Sequence, residues 1–451
     1  MNDEFPLSFW LALWIAGAAA VFFLRWKRRA TSVGLVYAFL FILWLLHWVG
    51  AAFYLREWPG ASPLPVVLAG LRESTYAVLA FAAGSLLLAP VLLRLFRTRQ
   101  NVEITHQPHR DLPLAYLVTG CGAYVAGSVL GRLPSMAAAS SVSEQFLIVA
   151  ICLRLRQAWL QRDTPRILIW SVATFLLPFF TIFTQGFLGF GAMASFTILC
   201  FLSNSVRSLW RFTASAVILG MLFLSLYVSY MRDRKAIRDS VWGGESWEER
   251  TDRVTTMLRN LEWFNPLNDD HARRIDGRLN QDYLVGRSVE FLEGRDNFAN
   301  GETIRDALLA LVPRIIWPDK PVSAGSGRLV ARFTGLRFAE GTSVGIGQVM
   351  EWYANFGSAG VWVWFLLVGG ILGIVDAQAG RHLRNGNWQA FTIWYLPAMS
   401  LLNIGGSMVE VSASAGAALI VAVFLNRVIL YQLQQRRQRA RAELVPSVSV
   451  T

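Results

Sequence analysis

Long apolar stretches, separated by short polar connections, make up most of this chain. A helix of roughly 20 apolar residues crosses a hydrocarbon core of about 30 Å, and about 11 stretches approach that length. They lie at about 5–24, 32–55, 73–93, 112–130, 136–153, 167–184, 186–202, 212–230, 358–376, 388–403 and 406–427. The pattern predicts an all-α polytopic membrane protein with about 11 transmembrane helices.

One hydrophilic segment, 231–357, is much longer than the other connections. Within it, Ser246 and Glu249 have the spacing of a capping box, which predicts the start of an amphipathic helix. Apolar residues at helical spacing predict two further helices, over about 271–293 and 302–312. Prolines and closely spaced glycines then predict an irregular stretch. We expect one large, mainly helical loop.

The same pattern divides the chain into three parts of one integrated domain. Residues 1–230 hold about 8 spans, 231–357 form the loop, and 358–451 hold about 3 spans and a basic tail. Hydrophobic residues make up 54% of the chain and charged residues only 16%, against about 25% charged in an ordinary soluble domain. This composition excludes a disordered chain, a coiled coil and a nucleic-acid-binding domain.

The net charge of +12 indicates orientation. Twenty lysines and arginines fall in six clusters, near residues 25–29, 94–110, 154–166, 207–211, 381–384 and 436–441. The positive-inside rule makes these clusters cytoplasmic, which places the N-terminus and the long loop outside and the C-terminus inside. Between 231 and 345 the loop carries 18 basic and 18 acidic residues. The positive excess therefore faces the cytoplasm and anionic membrane lipids, and it predicts no nucleic-acid partner.

Signature motifs of several enzyme classes are missing from the sequence. It contains no GxxxxGK[ST] loop for a nucleotide, and no HExxH or paired CxxC for zinc. His271 is the only histidine of the long loop, and the run Asn268-Asp269-Asp270-His271 fits a helix N-cap better than a metal site. We therefore predict neither a metal nor another cofactor.

Ionisable residues inside predicted spans are costly in lipid and are therefore functional candidates. Glu144, Asp376, Glu410 and Arg427 are such residues, and Glu351 lies just before a span. Glu410 stands among small residues, so an interhelical hydrogen bond is the competing interpretation. Asp376 and Arg427 lie near predicted cytoplasmic ends, where a side chain is expected to reach the interface.

Two motifs lie in the second half of the long loop and at the start of the following span. The first is Pro313-Arg314-Ile-Ile-Trp317-Pro318-Asp319-Lys320-Pro321, and the second is Gly345-Ile-Gly347-Gln-Val-Met-Glu351-Trp-Tyr353-Ala-Asn355-Phe356-Gly357-Ser-Ala-Gly360. Both resemble motifs of the Wzy-type polysaccharide polymerases. Arg314 and Gly325 also have the Arg-x10-Gly spacing found in the loops of such enzymes, although a second copy is missing. The detailed resemblance covers about 313–360. Elsewhere only the arrangement of spans is similar, since these enzymes have a large periplasmic loop in the C-terminal half.

The resemblance implies a GT-C-like glycosyltransferase of one superfamily with the O-antigen ligases. Such an enzyme polymerises undecaprenyl-diphosphate-linked oligosaccharide repeat units into a surface or secreted polysaccharide at the periplasmic face of the bacterial inner membrane. Donor and acceptor are both lipid-linked. Because the donor is already activated, neither ATP nor a nucleotide sugar is needed, and metal-independent catalysis is expected. A flippase and a chain-length regulator are the protein partners that the resemblance implies.

The resemblance also implies an anion site, because departure of the lipid diphosphate develops negative charge that arginine and lysine can stabilise. Arg314, as a catalytic residue, and Lys320 are the first candidates to bind it. Arg328 and Arg332 are the second. Ion pairing with carboxylates of the loop is the competing interpretation for all four.

Glu351 is the leading candidate for the base that accepts the proton of the acceptor hydroxyl, ahead of Asp319 and His271. A structural hydrogen bond near Tyr353 and Asn355 is its alternative role. Trp317 and Tyr353 are candidates to stack on sugar faces and Asn355 to bind substrate. Interfacial anchoring accounts equally well for the Trp and the Tyr.

Two other functions fit the layout. An O-antigen ligase would use the same donor and would need a catalytic histidine in the loop, where His271 stands alone. A lipid-linked oligosaccharide flippase or transporter would line a central path with charged residues and depend little on the loop. However, no matched pair of broken helices is visible in the sequence.

Overall fold

The structure, a computed structural model, describes residues 5–28, 31–95, 110–130, 136–203, 208–293, 295, 297–312, 317, 319, 325–338 and 344–444. Within these ranges the regular elements are helices, and no β-strand occurs there. The predicted all-α fold class is confirmed.

The helices follow one another with short connections. They are α1 (Leu7–Lys27), α2 (Leu35–Leu55), α3 (Leu64–Leu95), α4 (Leu112–Leu130), α5 (Met136–Gln161), α6 (Thr164–Gln185), α7 (Leu188–Ser203), α8 (Leu209–Trp242), α9 (Trp247–Arg259), α10 (Asp269–Leu279), α11 (Gln281–Glu293), α12 (Glu302–Ala310), α13 (Ser326–Thr334), α14 (Gln348–Arg384), α15 (Trp388–Met399) and α16 (Met408–Leu444). Turns of π-helix interrupt α2 at Trp44–Trp48 and α3 at Gly84–Leu88.

Each stretch predicted to span the membrane coincides with one of these helices. In the described part of the chain, 7 helices are long and apolar enough to cross a membrane: α1, α2, α3, α6, α14 and the apolar parts of α8 and α16. Helices α4 and α7 contribute shorter apolar stretches, and α15 has only 12 residues. A helical membrane protein is therefore supported, and the count of about 11 spans stays a prediction.

Two helices begin earlier than the apolar pattern predicts. Helix α3 begins at Leu64, with a proline in its first turn, so Glu73 lies inside it. Helix α14 begins at Gln348 and is broken at Phe356 and Gly357. Gly357 has φ 62° and ψ −157°, which only glycine adopts readily. The first two turns of α14 are thus set at an angle to its apolar length.

The helices of the long loop match the prediction in part. Helix α9 begins with the predicted capping box, and α12 matches the predicted third helix. The predicted helix over 271–293 is two helices, because Asn280 has φ −110° and ψ 80° and ends α10.

The irregular stretch predicted after Pro313 contains helix α13. The prediction was wrong there because the glycines flank this helix rather than interrupt it: Gly325 precedes it and Gly335, with φ 69°, ends it. Leu329, Val330 and Phe333 form its buried face.

Helix α11 of the loop packs directly along α3. A Cβ atom at Gly70 would lie 1.9 Å from the carbonyl oxygen of Asp282, and one at Gly286 would lie 1.8 Å from that of Val66. Only glycine permits this approach of the two backbones. Nearby, His47 Nδ1 and Asp282 Oδ1 are 2.6 Å apart and both side chains are fully buried. Burial raises the pKa of Asp282, and the neighbouring His47 opposes that rise.

A second buried pair joins α1 to α14. Asp376 is fully buried and accepts hydrogen bonds from Arg25 and from the backbone N–H groups of Val33 and Leu35. The expectation that Asp376 reaches an interface was therefore wrong, because the protein itself supplies its donors.

Candidate active site at the start of α14

Glycines of the second motif bring the starts of α14 and α16 together. A Cβ atom at Gly345 would lie 2.1 Å from the carbonyl oxygen of Gly405, and Gly347 has φ 71°. Two backbone hydrogen bonds join the segments, from Gly347 N to Gly405 O (3.1 Å) and from Gln348 N to Ile404 O (2.8 Å). The side chains that follow Gly347 therefore face the first turn of α16.

Glu351 is one of these side chains, in the first turn of α14, and it is fully buried. Its Oε2 accepts a 2.7 Å hydrogen bond from the backbone N–H of Met408, the first residue of α16. The positive end of a helix dipole favours a carboxylate in this position. Oε1 makes no hydrogen bond of normal geometry, although the Thr303 hydroxyl is a near neighbour. Among the residues that the structure describes, no lysine or arginine forms an ion pair with Glu351.

Asn355, one turn further along α14, holds the start of α12. Its Oδ1 accepts from the backbone N–H of Gly301 (2.9 Å), and its Nδ2 donates to Thr303 Oγ1 (2.8 Å) and to the carbonyl oxygen of Glu351 (2.7 Å). The amide is fully buried and each of its polar atoms is used. In the described state, Asn355 positions α12 against α14 and offers no free group to a substrate.

Glu410 closes the site on the side of α16. Ser407 N donates to Glu410 Oε2 (3.2 Å) and Glu410 N donates to Ser407 Oγ (3.3 Å), which is a capping box. Ser326, at the start of α13, donates its hydroxyl proton to Glu410 Oε1 (2.9 Å). Glu410 is exposed. The starts of α12, α13 and α16 thus meet around Glu351, Asn355 and Glu410.

A further carboxylate, Glu73 of α3, lies beside the break in α14. It is fully buried, and its Oε1 accepts from Ser358 Oγ (2.9 Å) and from Arg72 Nε (3.3 Å). Glu73 Oε2 is buried and makes no hydrogen bond of normal geometry. Tyr353, 2% exposed, donates its hydroxyl proton to Glu293 Oε1 (3.1 Å). Glu73 of α3 and Glu293 of α11 therefore approach the start of α14, which itself carries Glu351.

The structure describes two of the four cationic residues that were predicted to bind the diphosphate, Arg328 and Arg332. Arg314 and Lys320 lie outside the described residues. Arg332 forms a bidentate ion pair with Glu302, at 2.7 and 2.9 Å, as the competing interpretation expected. These hydrogen bonds lower the pKa of Glu302. Arg328 is exposed, and its side chain makes no hydrogen bond or ion pair to a described residue.

The two aromatic residues that were predicted to stack on sugars, Trp317 and Tyr353, differ in exposure. Trp317 is 39% exposed, so its face is available to a ligand. Tyr353 is buried and bound to Glu293, so it does not offer a stacking face in this state. Trp352, its neighbour, stacks on Trp364 with ring centroids 4.8 Å apart.

His271 belongs to a separate cluster. Its Nδ1 accepts from the backbone N–H of Asn265 (3.1 Å), which leaves the proton on Nε2, 3.1 Å from Glu262 Oε2. Glu262 also accepts from Arg232 (2.6 Å) and Arg274 (2.7 Å). Partial burial alone would raise the pKa of Glu262, but these three donors bring it down to about 2. Asn268 caps α10, as predicted for this run.

The family model described as "Domain of unknown function (DUF8712)" matches residues 73–387. The chain belongs to this family. No curated protein and no solved structure matches the chain. The DUF8712 match begins at Glu73 and includes Glu351, Asn355 and the whole long loop, whereas Glu410 lies beyond its end.

Sequence reasoning on this DUF8712 chain missed two parts of the site. Glu73 was placed at the edge of a span, although the apolar run from Leu64 that precedes it already indicated an interior position. The capping box of Ser407 and Glu410 was also readable from its spacing. The sequence pattern does not predict that the backbone N–H of Met408 is the partner of Glu351, because that contact depends on how α14 and α16 pack together.

Proposed function

We propose that this protein is a lipid-linked oligosaccharide polymerase. It transfers a growing glycan from its lipid diphosphate to an acceptor repeat unit at the periplasmic face of the inner membrane. The observation that carries the proposal is that the helices before and after the first motif are both held where α14 and α16 meet. Helix α12 ends at Ala310, directly before the first motif, and its start is held by Asn355 of the second motif. Helix α13, directly after the first motif, is held by Glu410.

The arrangement of helices around Glu351 supports binding of the lipid diphosphate, an anion, next to this carboxylate. The starts of three helices meet there, and backbone N–H groups at helix starts favour negative charge. Arg314 and Lys320 belong to the segment that connects α12 to α13, the two helices whose starts are held by Asn355 and Glu410. We assign them to the leaving diphosphate and Arg328 to its rim.

In the proposed reaction, the acceptor hydroxyl oxygen forms a bond to the anomeric carbon of the donor. The bond between that carbon and the diphosphate oxygen breaks, and its electron pair leaves with the lipid diphosphate. The hydroxyl proton passes to Glu351 Oε1, the oxygen without a regular hydrogen bond. Because Glu351 is fully buried, the substrate reaches it only when the surrounding helices move apart locally.

The topology belongs to the same proposal. About 11 spans, an external N-terminus, an external loop and a cytoplasmic C-terminus follow from the charge pattern. They place the starts of α3, α14 and α16 on one side, together with α9–α13. The contacts described above between the loop helices and these starts support that arrangement.

Gene deletion followed by analysis of lipid-linked glycans tests the function. We expect single repeat units to persist on the lipid carrier and long chains to disappear, with recovery on complementation. Purified protein should polymerise lipid-linked repeat units in EDTA. Long chains that form on the carrier but are not transferred would instead identify a ligase. Repeat units confined to the cytoplasmic face would identify a flippase.

A further inference from the structure

A cavity of about 370 Å³ lies beside α10, on residues that the proposed active site does not use. Its volume falls within the roughly 300–1,000 Å³ of small-ligand sites. The lining consists of Glu262, Trp263, Asn265, Asn268, Asp270, His271 and Arg274. Hydrogen bonds from Glu262 N to Ser229 Oγ (2.9 Å) and from Phe264 N to Ser225 Oγ (3.0 Å) fix this segment on α8.

The charges of the cavity neutralise one another. Glu262 accepts from two arginines, Arg232 and Arg274, and Arg232 also pairs with Asp233 at 2.7 Å. Asp270 pairs with Arg273, likewise at 2.7 Å. Each guanidinium therefore already has a carboxylate, so the cavity has little to offer a free anion.

The side chains of the cavity that are not used in these ion pairs have the chemistry to bind a sugar ring. Trp263 is 67% exposed although it lines the cavity, and its negative π face attracts the C–H groups of a pyranose. The Asn265 and Asn268 side chains accept backbone N–H groups through Oδ1. Neither Nδ2 donates to a described residue, so both are available to hydroxyl oxygens. Asp270, 64% exposed, can accept from hydroxyl groups.

We propose that this cavity is a second glycan-binding site, which holds an uncharged sugar of the polymer away from the reacting ends. The identification of the bound glycan as the polymer rests on the proposed function. The suitability of the cavity for an uncharged sugar does not rest on it. Holding the chain at a second point raises its effective concentration at the active site, so successive additions become more frequent.

Binding to the purified full-length protein tests the site. The probe is the neutral glycan released from the surface polymer of the producing cells, titrated by tryptophan fluorescence, with pyrophosphate as the charged comparison. Trp263→Ala should weaken glycan binding by about tenfold and leave pyrophosphate unaffected. Trp247→Ala is the matched control, since Trp247 is 62% exposed on α9 and does not line the cavity.

The amide donors have conservative variants. Asn265→Asp and Asn268→Asp keep the oxygen that accepts the backbone N–H groups and replace the Nδ2 donor by a charged oxygen that cannot donate. Both should bind the glycan several-fold more weakly, with unchanged thermal stability. No saturable glycan binding by the wild type, or wild-type affinity in Trp263→Ala, overturns the proposal. Equal losses in Trp263→Ala and Trp247→Ala would do the same, because they indicate membrane anchoring.

Chain length separates this inference from the proposed function. Trp263→Ala should still join repeat units but give shorter chains, whereas loss of the active site should give none. If the protein joins no repeat units yet its cavity binds the glycan, the proposed function fails and the site remains. If polymer is made and Trp263→Ala leaves binding and chain length unchanged, the site fails and the proposed function remains.

Discussion

Glu262, in the connection between α9 and α10, and Glu351, at the start of α14, are two carboxylates in opposite surroundings. Glu262 is partly exposed and receives hydrogen bonds from Arg232, His271 and Arg274. Glu351 is fully buried and receives one regular hydrogen bond, from a backbone N–H. A carboxylate held by two arginines remains an anion and fastens the segments that carry them. We expect a carboxylate with one oxygen outside any regular hydrogen bond, and no cationic partner among the described residues, to be the one that exchanges a proton.

The largest effect expected from this difference concerns Glu351→Gln. The glutamine keeps an oxygen for Met408 N but cannot take the proton, so polymerisation should fall by about 10²–10⁴-fold. Incorporation of lipid-linked repeat units by purified protein measures it. Glu262→Gln is the comparison variant and should still join repeat units, with any loss confined to chain length, because Glu262 lines the second glycan site and not the reacting site. A Glu351→Gln protein as active as the wild type would leave Glu351 with only its structural role.

Arg314→Ala should have the next largest effect on activity. Loss of one group that stabilises the departing diphosphate typically costs about 10²–10³-fold in rate. Arg332→Ala is the matched control, because Arg332 is committed to Glu302 at the surface. It should change polymer length and yield by less than about twofold, as for an exposed ion pair. Normal polymer from a well-inserted Arg314→Ala protein would remove Arg314 from the site.

Asp282→Ala extends the comparison to stability. It leaves the buried His47 without its partner, and breaking a buried pair costs about 3–5 kcal/mol. Thermal unfolding in detergent should show a clear fall in Tm. Asp269→Ala is the control, since its pair with Arg56 is 40% exposed at the Asp and should contribute little. Equal Tm changes in the two variants would show that burial does not set the importance of these pairs.

The smallest expected effect is the pH dependence caused by Glu262. Its folded-state pKa of about 2 lies below its ordinary 4.5, so it stabilises the fold fully above pH 4.5 and loses that contribution as pH falls towards 2. The Tm difference between wild type and Glu262→Gln should therefore shrink over this interval. A difference that stays constant from pH 6 to pH 3 would contradict the ionic role of the cluster.

Composition and apolar spacing predicted the helical class and the positions of the long helices, because both depend on local sequence. They also placed Glu351 just before a span, and the structure has it in the first turn of α14. The interior position of Glu73 and the partner of Glu351 depend on contacts with Ser358 and Met408, which lie 285 and 57 residues away in sequence. The split at Asn280 was missed for another reason, since amphipathic spacing continues across one non-helical residue.

The pair formed by His47 and Asp282 has a consequence for how the protein is made. The two residues are 235 positions apart, and ribosomes add about 5–20 residues per second. For roughly 10–50 s, therefore, α2 carries an imidazole before Asp282 exists, and α3 carries Glu73 before Ser358 exists. The first helices are incomplete products in the membrane during that time. A ribosome that stops before Asp282 would leave polar groups without partners inside apolar helices, and cellular quality control could recognise such a fragment by them.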